Sequence, residues 1–125
     1  MILIFDTSIL IELNRGNGDI IRKIAELKRS YPAPAKISFI SYFEFLYGLK
    51  NKSEKNKNKS IEFIEEFDVI QTSKKTAAIL VNFKQNYELP LSDLLIASHT
   101  REIDGILITR DNDFKPIKEM KCIIL

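Results

Sequence analysis

Five acidic side chains stand where solubility alone does not account for them. Asp6 ends the apolar run Ile2-Leu3-Ile4-Phe5, and Glu44 interrupts the apolar and aromatic segment 41–49. Asp93 precedes Leu94-Leu95-Ile96-Ala97, while Asp111 and Asp113 follow Ile106-Leu107-Ile108. Carboxylates gathered in one place repel one another unless some are protonated or a cation balances them. Hard divalent cations such as Mg²⁺ and Mn²⁺ take oxygen ligands of this kind. A metal so held can activate water and neutralise a phosphodiester during in-line displacement, which is hydrolytic nuclease chemistry. Each acid also has an ordinary structural explanation. Asp6 can cap the helix behind it, and Ser41 and Glu44 have the spacing of a capping box. Asp93 suits the positive end of a helix dipole, and Asp111-Asn112-Asp113 is a common turn sequence.

The nuclease reading requires residues far apart in the chain to meet, so the elements between them matter. Residues 2–5 read as a strand buried on both faces, with Asp6 at its carboxyl end, where ligands gather in open α/β sheets. A short apolar helix over 9–13 should end in the turn-rich patch 14–18. Asp19 is then expected to cap a helix whose Ile20, Ile21, Ile24 and Leu27 face the sheet. Pro32 and Pro34 end that helix, and residues 36–39 form a second strand. A buried helix follows over 41–49, closed or closely packed at Gly48. Residues 50–60 hold no hydrophobic side chain and alternate lysine with Asn, Ser and Glu. They read as an exposed connection or the solvated end of a helix pair, with phosphate contact the less favoured use of the lysines.

Ile61, Ile64 and Phe67 resume helical spacing, Val69-Ile70 suggests a third strand, and residues 76–87 give an amphipathic helix stopped at Pro90. Ser92 opens another helix to about residue 101, Gly105 is a break, and the strands at 106–108 and 122–125 complete the chain. Alternating strands and helices imply βαβ units, hence an α/β fold with a mainly parallel sheet covered on both faces.

Composition narrows the class. A chain of 125 residues, 45% of them hydrophobic, is long enough for one compact core and too short for two ordinary domains. Its 19 basic against 17 acidic residues give a net charge of +2, which permits a nucleic-acid partner without demanding one. One His and one Cys exclude a His/Cys zinc site and an internal disulfide within the chain. Cys122 reads as a small hydrophobe in the last strand, and His99 as a packing or surface residue. A lone histidine also disfavours a His-based ribonuclease mechanism. The N-terminus carries no basic region ahead of its apolar run, so no cleaved leader is expected. The longest apolar stretch, 37–49, is broken by Glu44 and two serines, which argues against a span of about 20 apolar residues and favours the cytoplasm.

Four blocks then carry a resemblance: Phe5-Asp6-Thr7-Ser8; Ile40-Ser41-Tyr42-Phe43-Glu44 with Tyr47-Gly48-Leu49; Leu91-Ser92-Asp93-Leu94-Leu95-Ile96-Ala97; and Thr109-Arg110-Asp111-Asn112-Asp113-Phe114. In this order the chain resembles the PIN-domain ribonucleases, most closely the VapC-type toxins of toxin–antitoxin pairs. The resemblance implies a three-layer α/β/α sandwich over 1–125 and an endoribonuclease dependent on Mg²⁺ or Mn²⁺. By position, Asp6, Glu44, Asp93 and Asp111 resemble the family's metal-binding acids, with Asp113 as an auxiliary carboxylate. Thr7 and Ser8 look like the hydroxyls that orient the first acid or a metal-bound water, although Ser8 equally suits a helix cap. The likeness further implies an RNA substrate, a homodimer and a cognate antitoxin, for either of which the helix over 41–49 would offer a surface. Arg110 is a candidate for meeting the scissile phosphate or for pairing with a neighbouring acid.

Rival readings remain at this point. A phosphatase forming an aspartyl-phosphate on Asp6 would want an acid two residues later, where Ser8 stands. A catalytically silent PIN-like RNA-binding or scaffold protein would keep the acids for folding, and a housekeeping RNA-maturation nuclease would share the site.

Overall fold

Five strands, all parallel, run through the computed structural model, which describes residues 1–125. They are β1 (Leu3–Phe5), β2 (Lys36–Ser38), β3 (Asp68–Ile70), β4 (Ile106–Thr109) and β5 (Lys121–Ile124), in the order β3-β2-β1-β4-β5. Leu3, Ile4 and Phe5 pair with Ile106, Leu107 and Ile108, and all six are buried. This is why both segments are unbroken apolar runs: a central parallel strand has helices on each side and no solvent face.

The alternation of side chains along these strands divides the core in two. Leu3, Phe5, Ile37, Ile106 and Ile108 pack with α1 (Thr7–Asn14), α2 (Gly18–Ser30), α3 (Phe39–Tyr47) and α4 (Glu54–Glu65). Ile4, Ile70 and Leu107 join the other cluster, with Phe83 of α5 (Lys74–Asn86) and Leu94, Ile96 and Ala97 of α6 (Leu91–Glu102). The result is the three-layer α/β/α sandwich. Truncating Leu107, fully buried in the second cluster, should cost about 2–5 kcal/mol. The turn from α6 into β4 is equally intolerant: a Cβ on Gly105 would lie 2.9 Å from the Ile2 carbonyl oxygen and from Ile4 Cγ1.

Several local expectations change. Asn17, not Asp19, caps α2, its side chain accepting from the N–H groups of Asp19 and Ile20. Asp19 instead sits in the first turn, where its charge meets Arg22 and Lys23. Ile21 is exposed, because the face of α2 is narrower than four isoleucine and leucine positions suggest; Ile20, Ile24 and the partly buried Leu27 carry it. The second strand stops at Ser38, which caps a helix beginning at Phe39, so Ser41 and Glu44 form no capping box. Glu44 therefore lies in the middle of α3 rather than near its start. Residues 50–60 divide between a turn and the first turns of α4, capped by Ser53. Pro90 does not stop α5, which ends at Asn86, but precedes α6 as its cap residue, and Ser92 lies inside that helix.

Candidate active site

The strand order sets the position of the site. From β1 the chain moves one way across the sheet to β2 and β3, then returns to the other side of β1 for β4 and β5. The order reverses between β1 and β4, and the crevice outside the carboxyl ends of such strands is where open α/β sheets bind ligands. Asp6 follows β1 directly, and its backbone N–H extends the ladder by donating to the Ile108 carbonyl at 3.0 Å. Asp111 follows β4 across the same crevice.

Asp6 is buried and held by three donors. Its Oδ1 accepts the Thr7 backbone N–H at 2.7 Å, and Asp6 thereby caps α1. Its Oδ2 accepts the Thr109 hydroxyl at 2.6 Å and the Ser8 hydroxyl at 3.3 Å. Burial nevertheless raises its pKa, the hydrogen bonds opposing that rise and the charge of Glu44 adding to it. The cap and the candidate ligand are thus one carboxyl.

Glu44 reaches the crevice from α3, where its Oε1 accepts the Thr7 hydroxyl at 2.7 Å. Thr7 hence orients Glu44 through its side chain and Asp6 only through its backbone. Ser8 is not a helix cap; it donates to Asp6 and accepts the Arg110 N–H at 3.4 Å. Asp93, in the first turn of α6, has no hydrogen-bond donor within the protein. Burial, followed by the charges of Asp6, Asp111, Glu44 and Asp113, pushes its carboxyl up to about 6. Asp111 accepts the Asp113 N–H at 2.9 Å and so caps the 3-10 turn Asn112–Phe114, on which Asp113 is exposed.

Asp93 thus lies within electrostatic reach of Asp6, Asp111, Glu44 and Asp113, and Asp6 within reach of Glu44, at the carboxyl edge of the sheet. The donor set is oxygen throughout and carries an excess of negative charge, the chemistry suited to a hard divalent cation. No three of the carboxylates converge tightly enough to enclose an ion as their side chains stand.

Arg110 pairs with an acid outside this group: its Nη1 lies 3.6 Å from Glu12 Oε1, which Arg15 also meets at 3.3 Å. Cys122 is half-buried, and desolvation pushes its thiol to about 11, which leaves it unreactive. The residue that reasoning from sequence passed over is Thr109. Fully buried at the end of β4, its hydroxyl donates to Asp6 and accepts the Asp111 N–H at 3.0 Å, joining the two acids across the crevice. A hydroxyl closing an otherwise apolar strand, two residues before an acid, was the available signal. The largest cavity, about 520 Å³ between α5 and α6, contains Lys75, Arg101, Glu102 and Glu119 and none of the candidate acids. Of the five acids only Glu44 lines a cavity, so chemistry rather than volume marks the group.

Comparison with solved structures returns the same architecture. The chain is similar to VapBC2 from Rickettsia felis bound to a promoter DNA fragment, with 26% identity, a TM-score of 0.83, and coverage of 99% of this chain and 98% of that one. It is similar to a toxin–antitoxin complex from Klebsiella pneumoniae at 27% identity and a TM-score of 0.80, covering 97% and 95% of the two chains. VapBC-1 from nontypeable Haemophilus influenzae matches at 25% identity and a TM-score of 0.77, covering 99% and 98%. No curated protein sequence matches. The PIN domain family model matches residues 3–120, which is nearly the whole chain and every element that bears one of the five acids, and the chain belongs to the PIN domain family.

Proposed function

We propose that this chain is a metal-dependent endoribonuclease acting as the toxin of a VapBC-type toxin–antitoxin pair. Family membership and the fold shared with VapBC complexes support a toxin nuclease role. The observation that carries the metal-dependent reading is Asp93, whose carboxyl burial and four neighbouring acids push to about 6. Carboxylates so arranged repel one another, and a bound cation would offset that repulsion.

Asp6, Glu44, Asp93 and Asp111 would hold Mg²⁺ or Mn²⁺, with Asp113 assisting directly or through water. Bound there, the ion would lower the pKa of water and neutralise charge on the phosphodiester. The chain's own residues do the positioning. Thr109 and Ser8 aim Asp6, Thr7 aims Glu44, and Arg110 stands at the rim, half-exposed, for a phosphate of the RNA strand.

A narrow cavity of about 150 Å³ between α1 and α3, lined by Ile11, Arg15, Phe45, Leu49 and Lys52, reaches Glu44. An antitoxin segment entering it with an Arg or Lys would satisfy the acids as a cation does. Phe39, Phe43 and Tyr47 form an aromatic stripe on α3 that is 43%, 54% and 60% exposed, which favours a protein partner and suits a homodimer. A cytoplasmic location accords with the antitoxin reading, and no helix is long and apolar enough to cross a membrane.

The decisive experiment is cleavage of structured RNAs in Mn²⁺ by the unmutated protein and by Asp6→Asn, after contaminating ribonucleases are excluded. Cleavage that persists in Asp6→Asn would refute the assignment.

A further inference from the structure

The chain's one histidine closes a link between the two helices that carry Glu44 and Asp93. His99 lies on the second half of α6 and is fully buried. Its Nδ1 is 2.7 Å from Ser38 Oγ, and its Nε2 is 3.1 Å from Thr72 Oγ1. Ser38 Oγ also accepts the Ile40 N–H at 3.1 Å and is the cap of α3.

The proton count selects a tautomer. A serine hydroxyl has one proton to donate and two lone pairs. With the Ile40 N–H already donating to it, Ser38 completes its bonding by donating to His99 Nδ1, and Nε2–H then donates to Thr72. The neutral, Nε2-protonated imidazole leaves no partner short. Burial favours the same state by holding the imidazole below its ordinary pKa, with the charge of Glu102, one turn further along α6, opposing it.

What the link joins gives it a role beyond filling space. Ser38 begins the helix that carries Glu44, and His99 lies on the helix that carries Asp93. The Ser38–His99 bond is the one side-chain hydrogen bond between the cap of α3 and α6, two elements that pack against each other.

We propose that His99 is a positioning residue which, by binding the cap of α3, sets the placing of Glu44 relative to Asp93. Its catalytic readout rests on the nuclease reading above. His99→Leu fills the space and removes both bonds, whereas His99→Asn keeps a polar atom near the Nδ1 position. His99→Leu is expected to lower kcat by about 10–100-fold with KM little changed, and His99→Asn to recover most of the loss. Phe83→Leu, in the core shared by α5 and α6, serves as a control of comparable melting temperature and should keep kcat. Crystal structures supply a readout that needs no substrate. The carboxyls of Glu44 and Asp93 should shift relative to each other by about 1 Å in His99→Leu and return in His99→Asn. Should His99→Leu not fold, His99→Gln, which moves the polar atom away from the Nδ1 position while leaving the Ser38 cap of α3 in place, is read in the same way. Unchanged carboxyl spacing, or a loss of kcat no greater than that of Phe83→Leu, would overturn the proposal. An unmutated protein that cleaves no RNA would end the nuclease reading, while the spacing would still decide the role of His99.

Discussion

Asp6 and Asp93 bring the same functional group within electrostatic reach of each other, and the fold treats them in opposite ways. Asp6 is buried at the end of a central strand, and the protein replaces its water with a backbone N–H and two hydroxyls. Asp93 is partly buried on a helix, with no donor of its own and four acids around it. A carboxylate with built-in donors is fixed in position and supports the structure around it. One without them keeps its charge uncompensated until something from outside the chain arrives. Asp6 is accordingly both scaffold and candidate ligand, whereas Asp93 is a candidate ligand that the fold leaves without a donor.

The widest test of that contrast is activity against stability. Asp6→Asn and Asp93→Asn should each reduce Mn²⁺-dependent RNA cleavage by at least about 100-fold, measured on single RNAs under matched conditions. Their effects on folding should part: Asp6→Ala is expected to cost about 1–2 kcal/mol through loss of the cap and of the partner of Thr109. Asp93→Asn should leave the metal-free protein as stable or more so. A stabilised Asp6→Ala would erase the distinction.

Added metal should show the same asymmetry. At about 100 times its dissociation constant, Mn²⁺ is expected to stabilise the unmutated protein by about 2.7 kcal/mol, seen as a rise in Tm. No such rise is expected in Asp93→Asn at the same concentration. Thr109→Val probes the scaffold side alone. It removes the 2.6 Å donor to Asp6 and the acceptor of the Asp111 N–H, at a cost of about 1–3 kcal/mol in denaturant unfolding.

The pH dependence of stability sharpens the Asp93 side. Its carboxyl is raised from 3.8 to about 6 in the folded protein, which therefore binds more protons than the unfolded chain between those values. Stability linked to this group is fully present below about pH 4 and is lost as pH rises through about 6. The loss is on the order of 1 kcal/mol once solvent screening of a partly exposed group is allowed for. Asp93→Asn should flatten that part of the profile of the metal-free protein. The smallest effect belongs to Arg110→Ala, which breaks an exposed contact with Glu12 and should change stability by less than about 1 kcal/mol.

Much of the fold was legible because its signals are local. Leu3, Ile4 and Phe5, and likewise Ile106, Leu107 and Ile108, announce buried parallel strands by leaving no polar position, and the acids and hydroxyls that follow mark where the apolar surroundings stop. The capping of α3 was misread because both Ser38 and Ser41 suit the role. Only the backbone decides between them, turning at Ser38 and leaving the buried Ser41 hydroxyl without a partner. His99 was read as a packing residue or a surface one, and no feature of its neighbours in sequence points to Ser38, 61 positions away.

By itself, the sequence determined the α/β class and an inventory of donors that lacks a His/Cys zinc set and suits harder cations, since side-chain chemistry and hydrophobic spacing belong to the chain. Only the tertiary structure decided which acid is held and which is left uncompensated. The Thr109 hydroxyl that secures Asp6 comes from 103 residues away. Electrostatic environment depends on distance in space, and the parallel crossovers that bring β4 beside β1 set that distance.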